Sequence, residues 1–388
     1  MIWLYWISGL LLALIWLRAA LPLAWHFSET VDLTRPEWEP PADLSLPALT
    51  IVVPARNEEA EIEPALRSLL LLDYSQYEVV AVNDRSTDQT GQIMERLAAE
   101  PPSRGKLRVV HVAELPPGWL GKVHAMWLGA KQGSGEWLLF TDADCVFHPE
   151  ALHRAVHYAI KTRTDHLVLY PTLHMRTLGE QMLISFSQAM AAFVMRPWKV
   201  RDPNASDHIG AGAFNLVRRS AYETIGTYEA LRMEILDDIK LGAAIKQARL
   251  REDVVYGPGL VTLRWGAGVA GIIGNLEKNL FALLKFRLSL VLAVCAATLF
   301  VCIWPFAGLA LAPGWTRAGF AATVAMIAFV YIVTARYAAG PRWLFLTCPI
   351  SGLLFILAVL RSTFLALRDG AVTWRGTKYE LDELRKKR

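Results

Sequence analysis

Apolar residues are spread very unevenly along this chain of 388 residues. Ile2–Leu17 carries no charge, and after Arg18 the apolar run resumes to Trp25. Together they approach the roughly 20 residues that a helix needs to cross a bilayer. Arg18 can snorkel to an interface from a tilted helix. The rival reading is a cleaved signal peptide, but no Lys or Arg precedes the run and no clean small-residue cleavage site follows it, so an uncleaved anchor is expected. Three more uncharged runs come late, Leu288–Ala312, Ala318–Ala335 and Trp343–Leu360, punctuated by Arg317, Arg336, Arg342 and Arg361. Pro349, Ser351 and Gly352 interrupt the last run, which reads as a kinked or re-entrant segment. Parity adds a constraint. With the middle of the chain cytoplasmic, one span before it and three full spans after it would put the basic tail outside, against the bias of Lys and Arg toward the inside. The Pro349 segment is therefore expected not to cross fully.

Between these runs the period changes. Phe27 to about Pro47 is polar and Pro-rich, a linker. Leu49–Val53, Tyr77–Val82, Leu107–Val112 and Trp137–Thr141 are short, apolar and β-branched, and predict strands. Glu58–Leu72, Thr87–Ala99 and His124–Gln132 have helical spacing. The alternation predicts an α/β domain with a mainly parallel sheet covered on both faces. Ligands of such sheets sit at the C-terminal ends of the strands, and Arg56-Asn57-Glu58, Asn83-Asp84-Arg85 and Asp142-Ala143-Asp144 fall there. Trp265–Phe286 is amphipathic and suits a membrane interface, or equally a helix packed on the domain. The expected division is an anchor at 1–26, a linker at 27–48, the α/β domain at 49–263, an amphipathic segment at 264–287, membrane segments at 288–367 and a basic tail at 368–388.

Composition sharpens this picture. At 54% hydrophobic and 20% charged residues, the chain is too apolar to be wholly soluble. Its formal net charge of +4 is held by residues 361–388, with eight basic and four acidic side chains. The neutral remainder argues against nucleic acid as a partner, and the tail suits anionic lipid at a cytoplasmic membrane surface. Four cysteines cannot staple a fold of this size, which fits a reducing compartment.

The polar clusters carry the candidate chemistry. Asp142 and Asp144, two residues apart just past a strand, suit a hard divalent cation shared with substrate phosphates, or an ordinary acidic turn. Asp84 can accept a hydrogen bond from a ligand N–H, whereas Ser86 and Asp88 suit capping. Lys122, before a helix, can neutralise a diphosphate or sit solvated on the surface. Asp237 and Asp238 lie among Ile235, Leu236, Ile239 and Leu241, a setting for a general base or for a helix N-terminal acidic pair. Gly210 and Gly212 allow close backbone approach to a ligand.

Taken together and in this order, Pro54-Ala-Arg56-Asn57-Glu58, Val82-Asn-Asp84-x-Ser-Thr-Asp88, Gly121-Lys122, Asp142-Ala143-Asp144, Gly210-x-Gly212 and Leu236-Asp237-Asp238 resemble the family 2 inverting glycosyltransferases. The resemblance covers about Leu49 to Leu250. It implies a GT-A fold, a nucleotide-sugar donor (a UDP-sugar) and Mg²⁺ or Mn²⁺. Carried over by position, Pro54, Arg56, Asn57, Glu58, Asp84, Lys122, Asp142, Ala143, Gly210 and Gly212 would bind the nucleotide-sugar, with Asp84 on the uracil. Asp142 and Asp144 would hold the metal, and Asp238, beside Asp237, would be the catalytic base. The flanks, with Leu115-Pro-Pro-Gly-Trp119-Leu-Gly-Lys122 and Val372-Thr-Trp374-Arg375-Gly376-x-x-Tyr379, are similar to the hopanoid-associated and carotenoid-type membrane enzymes of that family. This implies a lipid or lipid-linked acceptor and a catalytic domain facing the cytoplasm from a bacterial inner membrane.

The chain departs from the family pattern at three places. Asn83 stands where Asp is usual, and Asp237-Asp238 where Glu-Asp is usual. Val261-Thr-Leu-Arg264-Trp265 replaces the Gln-x-x-Arg-Trp of processive synthases, so transfer of one sugar at a time is expected, with Arg264 and Trp265 bordering the acceptor. The alternatives are a polyprenyl-phosphate sugar synthase, a processive polysaccharide synthase and a catalytically silent nucleotide-sugar-binding membrane protein. A transporter is disfavoured, because the late runs lack acidic pairs or repeats.

Overall fold

The computed structural model describes residues 2–26, 29–41, 43–103, 105–338 and 340–386. They fall into two units: a sheet unit of residues 30–173 and 197–263, and a helical unit of residues 1–29, 174–196 and 264–388.

The strands of the sheet unit are β1 (Leu49–Ala55), β2 (Tyr77–Asp84), β3 (Leu107–Val112), β4 (Trp137–Phe140), β5 (Val146–Phe147), β6 (His166–Tyr170), β7 (Thr172–Leu173), β8 (Asn215–Arg218), β9 (Glu252–Tyr256) and β10 (Val261–Leu263). Seven form one sheet in the order β3-β2-β1-β4-β8-β6-β9, and β5-β10-β7 form a small second sheet. In the large sheet β8 runs antiparallel to β4 and β6, and the other pairs are parallel. Every residue of β1 is buried, as a strand covered on both faces requires. Its register pairs Ala55 with Asn83, which brings the polar ends of β1 and β2 side by side. The helices are α2 (Ile62–Leu70), α3 (Thr90–Ala99), α4 (Gly121–Gln132), α5 (Ala151–Thr162), α7 (Pro197–Val200), α8 (Arg219–Thr224), α9 (Thr227–Ala230) and α10 (Asp237–Gln247). The predicted strands and helices are present with shifted ends. The segment expected as a linker is tied to β9: Leu33 N donates to Tyr256 O at 2.7 Å, and Tyr256 N to Val31 O at 2.9 Å.

The helical unit contains α1 (Ile2–His26), α6 (Leu178–Val194), α11 (Gly268–Leu283), α12 (Leu288–Thr298), α13 (Trp304–Leu311), α14 (Arg317–Ala338), α15 (Cys348–Asp369), the hairpin β11 (Ala371–Trp374) and β12 (Thr377–Glu380), and α16 (Leu381–Lys386). Among the described residues, four stretches are long and apolar enough to cross a membrane: Ile2–His26, Leu288–Leu311, Gly314–Ala335 and Arg342–Asp369. A π-turn at Leu299–Ile303 joins α12 to α13. Such a turn disturbs the carbonyl ladder of its helix, and the buried Trp16 indole donates to Val301 O at 3.0 Å. Gly9 and Gly319 let α1 and α14 touch backbone to backbone: a Cβ on Gly319 would lie 3.0 Å from the Gly9 carbonyl carbon. Small residues permit the same approach in membrane helices generally.

In the helical unit, the kinked alternative for the Pro349 run and one expected domain boundary are not what the structure shows. Pro349 does not kink its segment. It stands in the first turn of α15, where proline's missing N–H costs nothing, and the helix continues to Asp369. Residues 178–194 were expected inside the α/β domain, yet α6 packs Phe186 and Ala189 into a core with Trp16, Ile327, Val330, Tyr331 and Cys348. Its apolar face is wide enough to be claimed by the helices.

Candidate active site

The end of β4 and the loop before β8 are stitched together by main-chain groups. Asp142 N donates to Gly212 O at 2.9 Å, and Thr141 Oγ1 donates to Ala213 O at 2.8 Å. The fit leaves no room for a side chain at Gly210 or Gly212. A Cβ on Gly212 would lie 2.4 Å from Asp142 Oδ2, and one on Gly210 would lie 2.1 Å from the carbonyl carbon and oxygen of Asp238. Gly210 and Gly212 therefore place backbone against the two acidic motifs, which spacing alone did not reveal.

Lys122, in the first turn of α4, connects those motifs. Its Nζ is 2.7 Å from Asp142 Oδ1 and 3.5 Å from Asp237 Oδ2. Burial alone would lower its pKa, but the charges of Asp142, Asp237 and Asp238 outweigh burial and hold the ammonium above the usual lysine range. Asp237 is buried. Asp238 is partly open, and its Oδ1 accepts from Ile239 N at 2.8 Å in the first turn of α10. Burial first, and the Asp142 charge second, push the Asp144 carboxyl up to about 6. Two carboxylates that resist ionising together form a donor set that a hard divalent cation would relieve, so Asp142 and Asp144 fit Mg²⁺ or Mn²⁺.

Two tyrosines that the motifs did not indicate complete this side. The Tyr170 phenol, at the end of β6, is pushed up to about 12 by burial and then by the charge of Asp238. Tyr228 is fully buried, and its hydroxyl has no hydrogen-bond partner among the described residues. Burial and the charge of Asp237 raise it well above the tyrosine range. Neither tyrosine belongs to a short motif, so only the fold brings them here.

The ends of β1 and β2 are locked to each other. Asn57 takes a left-handed backbone, φ 54°. Its N–H donates to Ser86 Oγ at 3.0 Å, and its Oδ1 accepts from Thr87 N at 2.8 Å. Glu58 N donates to Thr90 Oγ1 at 2.8 Å. Asp88 caps the same turn, accepting from Thr90 N at 3.0 Å and Glu59 N at 3.1 Å. Asn57 and Asp88 thus shape the loop, and Pro54 and Arg56 lie on the strand end that it closes. Asp84 is buried, and the guanidinium of Arg85 grips its carboxylate with Nε–Oδ1 2.7 Å and Nη2–Oδ2 3.1 Å. Asn83 bonds to His111 Nδ1 at 2.9 Å, and His111 Nε2 bonds to Glu95 at 2.8 Å. With Asn rather than Asp at this position, the side chain can donate to the imidazole.

Buried ionic groups support the loop from below. Glu252 Oε1 accepts from Ile209 N at 3.1 Å and lies 3.1 Å from His166 Nδ1, with both side chains fully buried. Asn215 Nδ2 donates to Ala211 O at 2.8 Å. A further carboxylate–imidazole cluster in this unit, Glu39, Glu150 and His153, is closed by Arg154, which bonds to both glutamates.

Arg264 and Trp265 lie in the helical unit. Arg264 Nη2 donates to the buried Glu180 at 2.6 Å, and Glu180 also accepts from Gly268 N at 2.6 Å and Arg176 N at 2.7 Å. These bonds, the Arg264 contact foremost, draw the Glu180 carboxyl down to about 2. Arg264 is committed to anchoring the start of α11.

Residues 50–226 match the profile of the family described as Glycosyl transferase family 2. The chain is 24% identical over 345 residues to 4,4'-diaponeurosporenoate glycosyltransferase of Staphylococcus aureus, covering 87% of this chain and 89% of that protein. A mannosyltransferase from Pyrobaculum calidifontis, solved with GDP-Man and Mn2+, superposes with a TM-score of 0.53 at 19% identity, covering 92% of this chain and 98% of that one. The shared architecture is the GT-A fold that the motif order implies.

Proposed function

From residues 50–226 as a glycosyl transferase family 2 domain, we propose that the protein is a membrane-bound enzyme. It transfers a single sugar, with inversion, from a UDP-sugar to a hydroxyl of a lipid or lipid-linked acceptor. The observation that carries this reading is the Lys122 bridge. It joins Asp142, on the donor side, to the Asp237-Asp238 pair. Asp238, the more open of the two, takes the proton from the acceptor hydroxyl as that oxygen attacks the anomeric carbon opposite the leaving diphosphate. Asp237, buried beside Lys122, keeps α10 in place. Lys122 turns from Asp142 to the diphosphate as charge develops there, a preorganised cation at the leaving group. A divalent cation held by Asp142 and Asp144 would supply Lewis-acid stabilisation of the same diphosphate. Asp84, beside Arg85, reads the uracil, within the loop that Asn57, Glu58 and Asp88 hold closed. The cited S. aureus relative, named for a carotenoid-type acceptor, supports an apolar acceptor, and the four apolar stretches support an integral membrane protein. We place it in a bacterial inner membrane with the sheet unit in the cytoplasm.

The test is nucleoside diphosphate release by detergent-solubilised protein offered a panel of UDP- and GDP-sugars, Mg²⁺ or Mn²⁺, and total membrane lipid. Lipid-dependent UDP release from one donor is expected. UDP binding without release for any donor or lipid fraction would replace the enzyme by a nucleotide-sugar-binding protein. Release that depends on added polyprenyl phosphate alone would replace the hydroxyl acceptor by a phosphate.

A further inference from the structure

By length and composition, Arg342–Asp369 qualifies as a fourth membrane span. Its packing within the helical unit says otherwise. α1, the α12–α13 stretch and α14 share two apolar clusters at different heights. The far cluster holds Leu12, Ala312 and Phe320, with Tyr5, Trp304 and Leu309 against it. The near cluster holds Trp16, Ala20, Cys302, Ile327 and Tyr331. Rising from near to far, α12–α13 and α14 are therefore antiparallel, and α1 is parallel to α14.

α15 enters only the near cluster, through Cys348 in its first turn, with Phe355 packed against it. Gly352, four residues on, faces Thr298 and Cys302, at the middle of the α12–α13 stretch; a Cβ there would lie 3.3 Å from Cys302 Cβ and 3.5 Å from Thr298 Cγ2. From that level α15 runs back toward the beginning of α12. Ser362 Oγ accepts from Phe281 N at 3.1 Å, and Arg361 pairs with Glu277, both on α11, which leads into α12. The tail stays at that end: Lys278 Nζ lies 4.2 Å from the Trp374 ring centroid, and Arg385 Nη2 is 3.5 Å from Phe286 O. The short 3₁₀ segment Arg342–Thr347, with Leu344 in the near cluster, therefore climbs to half depth, and α15 descends again on the same side.

We infer that the chain crosses the bilayer three times, by α1, α12–α13 and α14, and that the 3₁₀ segment and α15 form a re-entrant layer seated in the one leaflet that adjoins the basic tail. The outer side of α15 is an apolar stripe, Ile350, Leu353, Leu357, Leu360, Phe364 and Leu367, all exposed. Among the described residues no other element of the unit covers these side chains, and their occupant is the acyl region of that leaflet. Charge agrees with this choice. Lys278, Lys285, Arg287, Arg368, Lys378 and Arg385 belong to the near end, whereas the far turn carries one cation, Arg317, whose Nε donates to Ala312 O at 2.6 Å, the bias expected when the near end faces anionic headgroups. The inference settles the parity of the spans, and it stands apart from the catalytic reading because no donor chemistry enters it.

The test uses the full chain with one epitope at the N-terminus, one inserted at Gly314 in the far turn and one at the C-terminus, in sealed vesicles of both orientations treated with protease. The C-terminal epitope is expected on the face opposite the other two. All three on one face would establish a fourth crossing and overturn the inference. A second variant tests the embedding. Leu353→Arg is expected to lower the yield of folded, detergent-extractable protein at least fivefold, with Glu380→Arg on the tail hairpin as control. An unchanged Leu353→Arg yield would put the stripe outside the lipid and overturn the single-leaflet seat.

Discussion

The buried side chains of the sheet unit and the threonines of the long helices satisfy their polar groups in different ways. In the sheet unit, buried side chains reach far along the chain. Thr141 bonds to Ala213 O, Glu252 to Ile209 N, and Lys246 to Asp202 O at 2.7 Å. In the helical unit, the hydroxyls of Thr298, Thr323, Thr334 and Thr363 each return to the carbonyl four residues earlier in their own helix, at 2.8–2.9 Å. Water-excluded loops that carry chemistry need long-range ties to stay within tenths of an ångström of a working geometry. A helix in lipid has already paired its backbone and needs only to hide what remains. The same residue types thus build precision in one unit and self-sufficiency in the other.

The largest effect that can break this contrast is at Lys122. Lys122→Met leaves Asp142 and Asp237 facing each other without a cation. Transfer is expected to fall by about 100- to 1,000-fold, the scale of losing a preorganised charge stabiliser, while thermal unfolding of the helical unit stays in place. A variant that keeps a tenth of wild-type turnover would remove the bridge from the site. Next is Gly319→Leu, which forces α1 off α14 at the Gly9 contact. Overpacking of this kind costs about 1–3 kcal/mol. Detergent-state stability should drop by that amount while UDP affinity is unchanged; a parallel loss of UDP affinity would mean that the two units are not separable in this way. Glu252→Gln alters the buried pairing with His166 but can still accept from Ile209 N. It should cost about 1–3 kcal/mol of stability and lower turnover about tenfold, with donor KM moving far less. If turnover stays level as stability falls, the His166–Glu252 pair serves the core alone. Smallest is Thr323→Val, expected within about 0.6 kcal/mol of wild type, against a clear loss for Thr141→Val, whose hydroxyl spans the loop.

Legibility in the sequence followed the same division. β1 to β4 and α2 to α4 were readable because short apolar runs alternate with amphipathic ones. β6, β8 and β9 were not, since their pairing depends on a strand inserted out of chain order and antiparallel to both neighbours. The acidic motifs were readable as residue types, but the Lys122 bridge joins residues far apart in sequence, and Tyr170 and Tyr228 belong to no motif. Asp88 was readable as a cap from local chemistry alone. Asn57, expected on the nucleotide, spends its side-chain oxygen on Thr87 N, a tie that only the β1–β2 register reveals. The apolar runs showed where long helices lie, yet α6 was hidden in the α/β stretch because a face of Leu183, Phe186 and Ala189 reads equally well as core. Run length also cannot say where a helix turns back. That information lies in Gly352 facing Cys302.

The central claim is that Asp238 performs the proton transfer in a site whose donor pocket does not depend on it. The direct measurement compares wild type with Asp238→Asn for UDP-sugar affinity by calorimetry and for sugar transfer to lipid under single-turnover conditions. The account predicts affinities within about threefold and a transfer rate lowered by about 100- to 10,000-fold, the range of general base catalysis. Equal transfer rates would contradict it and move the base elsewhere. Loss of binding together with transfer would show that Asp238 belongs to the donor pocket instead.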